Sequence, residues 1–110
     1  MQTISKAFLK EITDKIVSAV SPSKIILFGS YARGDENSES DLDLLVIQDT
    51  PFVPEGSRLK EMGMLWRLLA DVKIPKDILI YTPEEVKRWE SSLNHIIPTA
   101  FREGMILYER

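Results

Sequence analysis

The chain has 110 residues, no cysteine and a net charge of −3 at pH 7. That length suits one domain, residues 1–110, with a modest core, and the missing thiols exclude disulfides and thiolate metal sites while fitting a reducing, cytoplasmic setting. The acidic balance and scattered aromatics argue against direct nucleic-acid binding, which needs a basic field and stacking platforms, and no apolar stretch is long enough to span a membrane.

In chain order, residues 5–20 set Phe8, Leu9, Ile12, Ile16 and Val20 on one helical face. The acids in this stretch set it apart from a signal peptide. Ser21-Pro22-Ser23 ends the helix. Lys24 to Phe28 reads as a first strand, and the polar run from Gly29 to Ser40 as a connection with one helical turn after Ser30. Asp41 to Ile47 is the second strand. After a proline-bearing loop, Leu59, Met62, Leu65, Trp66 and Leu69 recur at helical spacing between Glu55 and Val72. Gly63 weakens that helix by up to about 1 kcal/mol. Asp77 to Tyr81 is the third strand. Thr82-Pro83-Glu84-Glu85 is a capping box with proline at the first helical position. A further helix, begun or interrupted at Pro98, closes at Gly104, and "MILYE" is a short last strand. Strands alternating with helices predict an α/β (α+β) domain: a small mixed sheet with helices packed against it.

The chemistry concentrates in "ILFGSYARGDENSESDLDLLV", residues 26–46. Alternation along a strand puts Asp41 and Asp43 on one face and Leu42, Leu44 and Val46 on the other. An antiparallel pairing of the first two strands brings Gly29-Ser30 beside Asp41. A helical crossover implies a parallel pairing of the second and third strands, which brings Asp77 to the same end. Two carboxylates about 4 Å apart repel by roughly 4 kcal/mol at an effective dielectric of about 20. Shared protons or a cation must offset that. Oxygen ligands without histidine or cysteine favour Mg²⁺ or Mn²⁺, and paired metals clamp the attacking and leaving oxygens of an in-line displacement. A glycine followed by free N–H groups and the Ser30 hydroxyl suits a phosphate. Together these residues describe a nucleoside triphosphate site. Arg33 has two readings: neutralising β/γ-phosphate charge or pairing with Asp35 or Glu36. His95 reads as a helix residue. Trp66, Trp89, Tyr31 and Tyr108 read as packing residues.

Gly29-Ser30, Asp41-x-Asp43 and the later Asp77 resemble the nucleotidyltransferase superfamily that includes DNA polymerase β. "GSYARG" and "SDLDLLV" are similar to its minimal nucleotidyltransferases, antitoxin-type partners of HEPN-domain toxins. The resemblance covers nearly the whole chain. It implies that Gly29, Ser30 and, on one reading, Arg33 hold the triphosphate. It implies that Asp41 and Asp43 bind both metals, and that Asp77 ligates the metal nearer the acceptor and helps activate its hydroxyl. It further implies AMP transfer from ATP to a tyrosine of a HEPN toxin, a type VII-like protein adenylyltransferase (AMPylation) activity. Larger relatives hold the acceptor with an added helical domain. The 110 residues leave no room for one, so a partner protein or a second subunit, in a homo-dimer or hetero-oligomer, is expected to hold it. Two other functions compete: a non-catalytic antitoxin acting by binding alone, and a two-metal phosphodiesterase or nuclease. Retention of all three aspartates speaks against the first. The Gly-Ser turn and the acidic balance speak against the second.

Overall fold

A computed structural model describes residues 5–34, 40–49, 57–72, 74–90 and 96–110. The elements run α1 (Lys6–Val20), β1 (Lys24–Phe28), α2 (Ser30–Arg33), β2 (Leu42–Ile47), α3 (Ser57–Leu68), β3 (Lys76–Tyr81), α4 (Pro83–Trp89), α5 (Ile96–Glu103) and β4 (Met105–Glu109). The four strands form one mixed sheet in the order β3-β2-β1-β4. β1 is antiparallel to β2 and to β4, and β2 is parallel to β3. Both pairings expected from the sequence are present, and so is the mixed α/β architecture.

Local chemistry sets the element ends. The Ser5 hydroxyl accepts the Phe8 N–H at 3.0 Å and opens α1. Ser21, at φ 47°, closes it by donating its backbone N–H to the Val17 carbonyl. Thr82 and Glu85 form the predicted capping box reciprocally: the Thr82 N–H donates to Glu85 Oε1 at 2.9 Å, and the Glu85 N–H to Thr82 Oγ1 at 3.2 Å. Burial alone would raise the Glu85 carboxyl. The hydrogen bond from Arg58 and the Thr82 N–H outweigh it and hold Glu85 below its ordinary range. The same Arg58–Glu85 pair, at 2.6 Å, ties the start of α3 to α4. Pro98 falls in the first turn of α5, where a missing N–H breaks no helical hydrogen bond.

Side-chain alternation divides the core between the two sheet faces. Ile25, Leu27, Leu42, Leu44, Val46, Ile78 and Ile80 pack with Ile12 and Ile16 of α1 and with Leu65 and Leu69. On the opposite face Ile26, Phe28, Leu45 and Ile47 pack with Ala100 of α5, flanked by Leu79, Tyr81 and Val86. The predicted apolar stripe of α3 is only half buried. Leu65 and Leu69 are fully enclosed, whereas Leu59 and Trp66 are 75% and 40% exposed. At about 100° per residue, Leu59 and Trp66 stand roughly 100–120° around the helix from Leu65, on the flank of the stripe. Trp66 is therefore a surface residue, and the Lys76 ammonium lies 5.6 Å from its ring centroid. Trp89 is also partly exposed. His95 lies outside the described residues.

Gly104 joins α5 to β4 at close quarters. A Cβ there would overlap the Ala100 carbonyl oxygen and crowd Ile26 on β1. Replacing Gly104 with alanine is expected to cost about 1–3 kcal/mol of stability, as overpacking does. Urea unfolding monitored by circular dichroism measures this, and an unchanged midpoint would contradict the packing.

Candidate active site

β2 is anchored by Leu42 and Leu44, both fully buried against α1 and α3. Their burial forces the intervening Asp43 onto the opposite face, the one that carries Leu45 and Ile47. In the ladder Asp43 has Phe28 of β1 on one side and Asp77 of β3 on the other. The register thus places two carboxylates directly opposite each other on neighbouring strands. Asp41 precedes them by one strand period and is exposed, as is Asp77, while Asp43 is half-buried.

Gly29 follows Phe28 and adopts φ 78° and ψ −159°, a backbone that L-residues with a side chain rarely enter. A Cβ at Gly29 would also collide with Asp43 Oδ2. The glycine is required twice, by its backbone and by its contact with the carboxylate. Ser30 opens α2, whose first N–H groups have no intrahelical partner by geometry. The Arg33 and Ala32 N–H groups both donate to the Gly29 carbonyl at 3.1 Å, and the Gly34 N–H to Ser30 at 2.9 Å. Tyr31 is buried in the α1/α3 core and pins the turn from beneath. It serves packing, as the sequence suggested. Arg33 ends α2 with an exposed side chain, and its charge favours the ionised form of Asp43. Asp35 and Glu36, its alternative partners, lie outside the described residues.

The electrostatics record the crowding. The Asp43 carboxyl is pushed up to about 6, first by burial, then by the charges of Asp77 and Asp41, with Arg33 acting in the opposite sense. Among the described residues no three acidic or histidine side chains close into a ready-made cage. Mg²⁺ does not require one, since it takes one or two carboxylates and completes its shell with water and phosphate. Oxygen-only donors, a half-buried carboxylate destabilised by its acidic neighbours and a phosphate-sized turn alongside fit that ion.

The site therefore gathers Gly29, Ser30, Asp43 and Asp77 tightly, with Asp41 and Arg33 at its rim. A hollow of about 660 Å³ runs along α1 beside Leu68, on the side of the sheet away from Asp43. The contact that sequence reasoning missed is the steric lock between Gly29 and Asp43. Fourteen positions separate them, and no local pattern announces it.

Residues 9–96 match the model of the nucleotidyltransferase domain. The chain belongs to this family. It is a nucleotidyltransferase. A candidate protein adenylyltransferase of Methanocaldococcus jannaschii is 38% identical over 77 residues, 70% of this chain and 71% of that protein. A second protein of the same description and organism is 47% identical over 47 residues, and the match spans 45% of its length. Among solved structures, a candidate nucleotidyltransferase from Sulfolobus solfataricus shares the fold at TM-score 0.62 and 22% identity, covering 98% of this chain and 81% of that one. A toxin–antitoxin complex crystallised with AMP-PNP aligns at TM-score 0.61 and 18% identity, covering 92% and 73%. An MntA–HpeT toxin–antitoxin carrying two Asp→Glu changes two positions apart aligns at 0.60 and 16%, with the same coverage.

Asp43 gives the nucleotidyltransferase a pH signature in the absence of metal. A carboxyl that titrates at 3.8 when unfolded and near 6 when folded favours the fold most below pH 4. That contribution is lost as pH rises from about 4 to 6 and is absent above. In the metal-free protein, Asp43→Asn is expected to melt higher than wild type at pH 8, with the difference shrinking toward pH 4. Thermal melts in EDTA across that range test this, and equal melting temperatures at pH 8 would refute the raised Asp43 carboxyl.

Proposed function

We propose that this nucleotidyltransferase transfers AMP from ATP to a hydroxyl of a partner protein, a HEPN-toxin tyrosine, and thereby acts as an antitoxin of the type VII kind. The observation that carries the reading is the register of β2. Asp43 stands against Gly29 on one side and opposite Asp77 on the other, so phosphate turn and acids share one sheet end. Family membership and the relatives' description as candidate protein adenylyltransferases support it. So do the fold neighbours, one crystallised with AMP-PNP and one with two aspartates altered at the spacing of Asp41 and Asp43.

In this reading residues 1–110 act as one catalytic domain. The Ser30 hydroxyl and the N–H groups of Ser30 and Tyr31, which open α2, hold the triphosphate oxygens. Arg33 offsets triphosphate charge from the rim. Asp41, Asp43 and Asp77 hold Mg²⁺, which when bound supplies charge neutralisation for the triphosphate and the departing pyrophosphate. The acceptor oxygen forms a bond to the α-phosphorus, the bond from that phosphorus to the bridging oxygen breaks, and pyrophosphate leaves. Asp77 assists loss of the hydroxyl proton. A cation held there would favour the carboxylate form of Asp43.

Incubation with labelled ATP, Mg²⁺ and a co-expressed HEPN protein is expected to label that protein and add one AMP to its mass. Asp43→Ala is expected to lower transfer by about 100-fold or more, the scale of losing one group that stabilises developing charge. An unlabelled partner that is nonetheless neutralised equally by wild type and Asp41→Ala would show a binder without transfer.

A further inference from the structure

We propose that the groove between α4 and α5 seats the acceptor protein and takes an acidic segment of it with an apolar face. The proposal rests on the reading that the acceptor is a protein.

Two adjoining hollows of about 420 and 430 Å³ share Val86, Glu90 and Phe101, so they form one continuous groove. Its apolar contacts are Pro83, Val86, Pro98 and Phe101, and Phe101 is 41% exposed, a large ring left at the surface. Its charged lining is Lys24, Lys87 and Arg102 against Glu90, a cationic strip on a chain whose net charge is −3. Glu109 pairs with Lys24 at 2.8 Å and Glu85 with Arg58, and Glu84 and Glu103 are exposed on α4 and α5, so Lys87 and Arg102 carry most of the strip's positive character. The Lys24 ammonium lies 5.3 Å from the Phe101 centroid, so cation and ring present one surface. An apolar floor with a cationic rim selects an amphipathic segment rich in Asp or Glu.

The groove and the candidate active site lie on one face of the sheet. Ile47, part of the groove's lining, lies on the same strand and the same face as Asp43. Four residues of strand separate them, about 13 Å at roughly 3.3 Å per residue. Between them Leu45 is fully buried with Ala100 of α5, so an acceptor seated at Phe101 reaches the acids around that cluster rather than along the strand.

The test uses two synthetic peptides of about 18 residues with leucines at helical spacing and one tyrosine, one Glu-rich and one with Lys in place of Glu. Amide shift mapping and fluorescence anisotropy with the whole chain read binding. The Glu-rich peptide is expected to shift α4 and α5 and to bind at least about tenfold tighter than its counterpart. Lys87→Glu combined with Arg102→Glu is expected to reverse that preference, and Phe101→Ala to weaken both peptides. Mg²⁺-ATP binding is expected to be unchanged in all variants, and melting curves confirm that they fold. With the acceptor protein itself, the groove variants are expected to raise acceptor KM and leave kcat. Equal binding of the two peptides, shifts mapping elsewhere, or a self-dimer abolished by Phe101→Ala would overturn the proposal. If wild type transfers AMP while the groove variants keep the acceptor KM, the groove fails alone. If the Glu-rich peptide binds at α4 and α5 but no transfer occurs, the function reading fails and the groove stands as a seat for acidic segments.

Discussion

The repulsion between Asp43 and its acidic neighbours is the constraint around which this protein is built. Left to themselves, two close carboxylates would separate or share a proton. Here they are held by a parallel strand register that neither side chain can escape. The force that holds the register comes from the other face of the same strand. Leu42, Leu44 and Val46 are fully buried, each contributing on the order of 2 kcal/mol by burial. A slip of one residue would turn them to the opposite face. The hydrophobic face therefore imposes the position of the acids, and the raised Asp43 carboxyl is the electrostatic trace of that imposition.

The Gly29–Ser30 turn is governed in the same way. α2 is only four residues long, too short to be stable by its own hydrogen bonds. Tyr31 fixes it by sinking into the α1/α3 core, while Gly29 fits it against Asp43 without a side chain between. One residue of the turn belongs to the core, and Gly29 to the contact with Asp43. A short loop gains its precision from a rigid sheet in this arrangement.

The two sheet faces then divide the work. The α1/α3 face is closed and apolar, and it carries most of the fully buried side chains. The α4/α5 face has a smaller apolar cluster and carries both Asp43 and the groove at Phe101.

Much of this was legible from the amino-acid order, because the signals are local. Alternation assigned Asp43 to the face opposite Leu42 and Leu44, and the capping box located α4. The helical crossover to β3 implied the parallel pairing, and an antiparallel pairing of β1 with β2 was the supposition that completed the sheet end. The α3 stripe was read too broadly, since a list of apolar residues at helical spacing does not say which edge of the stripe the sheet will cover. Leu59 and Trp66 ended outside for that reason. Residue types and their periods by themselves determined the elements and the face on which each acid lies, while the motifs "GSYARG" and "SDLDLLV" carried the resemblance to nucleotidyltransferases. Only the tertiary structure decided that Gly29 must lack a Cβ to admit the Asp43 carboxylate, that Asp77 is its register partner, and that Phe101 lines an open groove. Those facts depend on distances between residues far apart in the chain, and packing sets such distances.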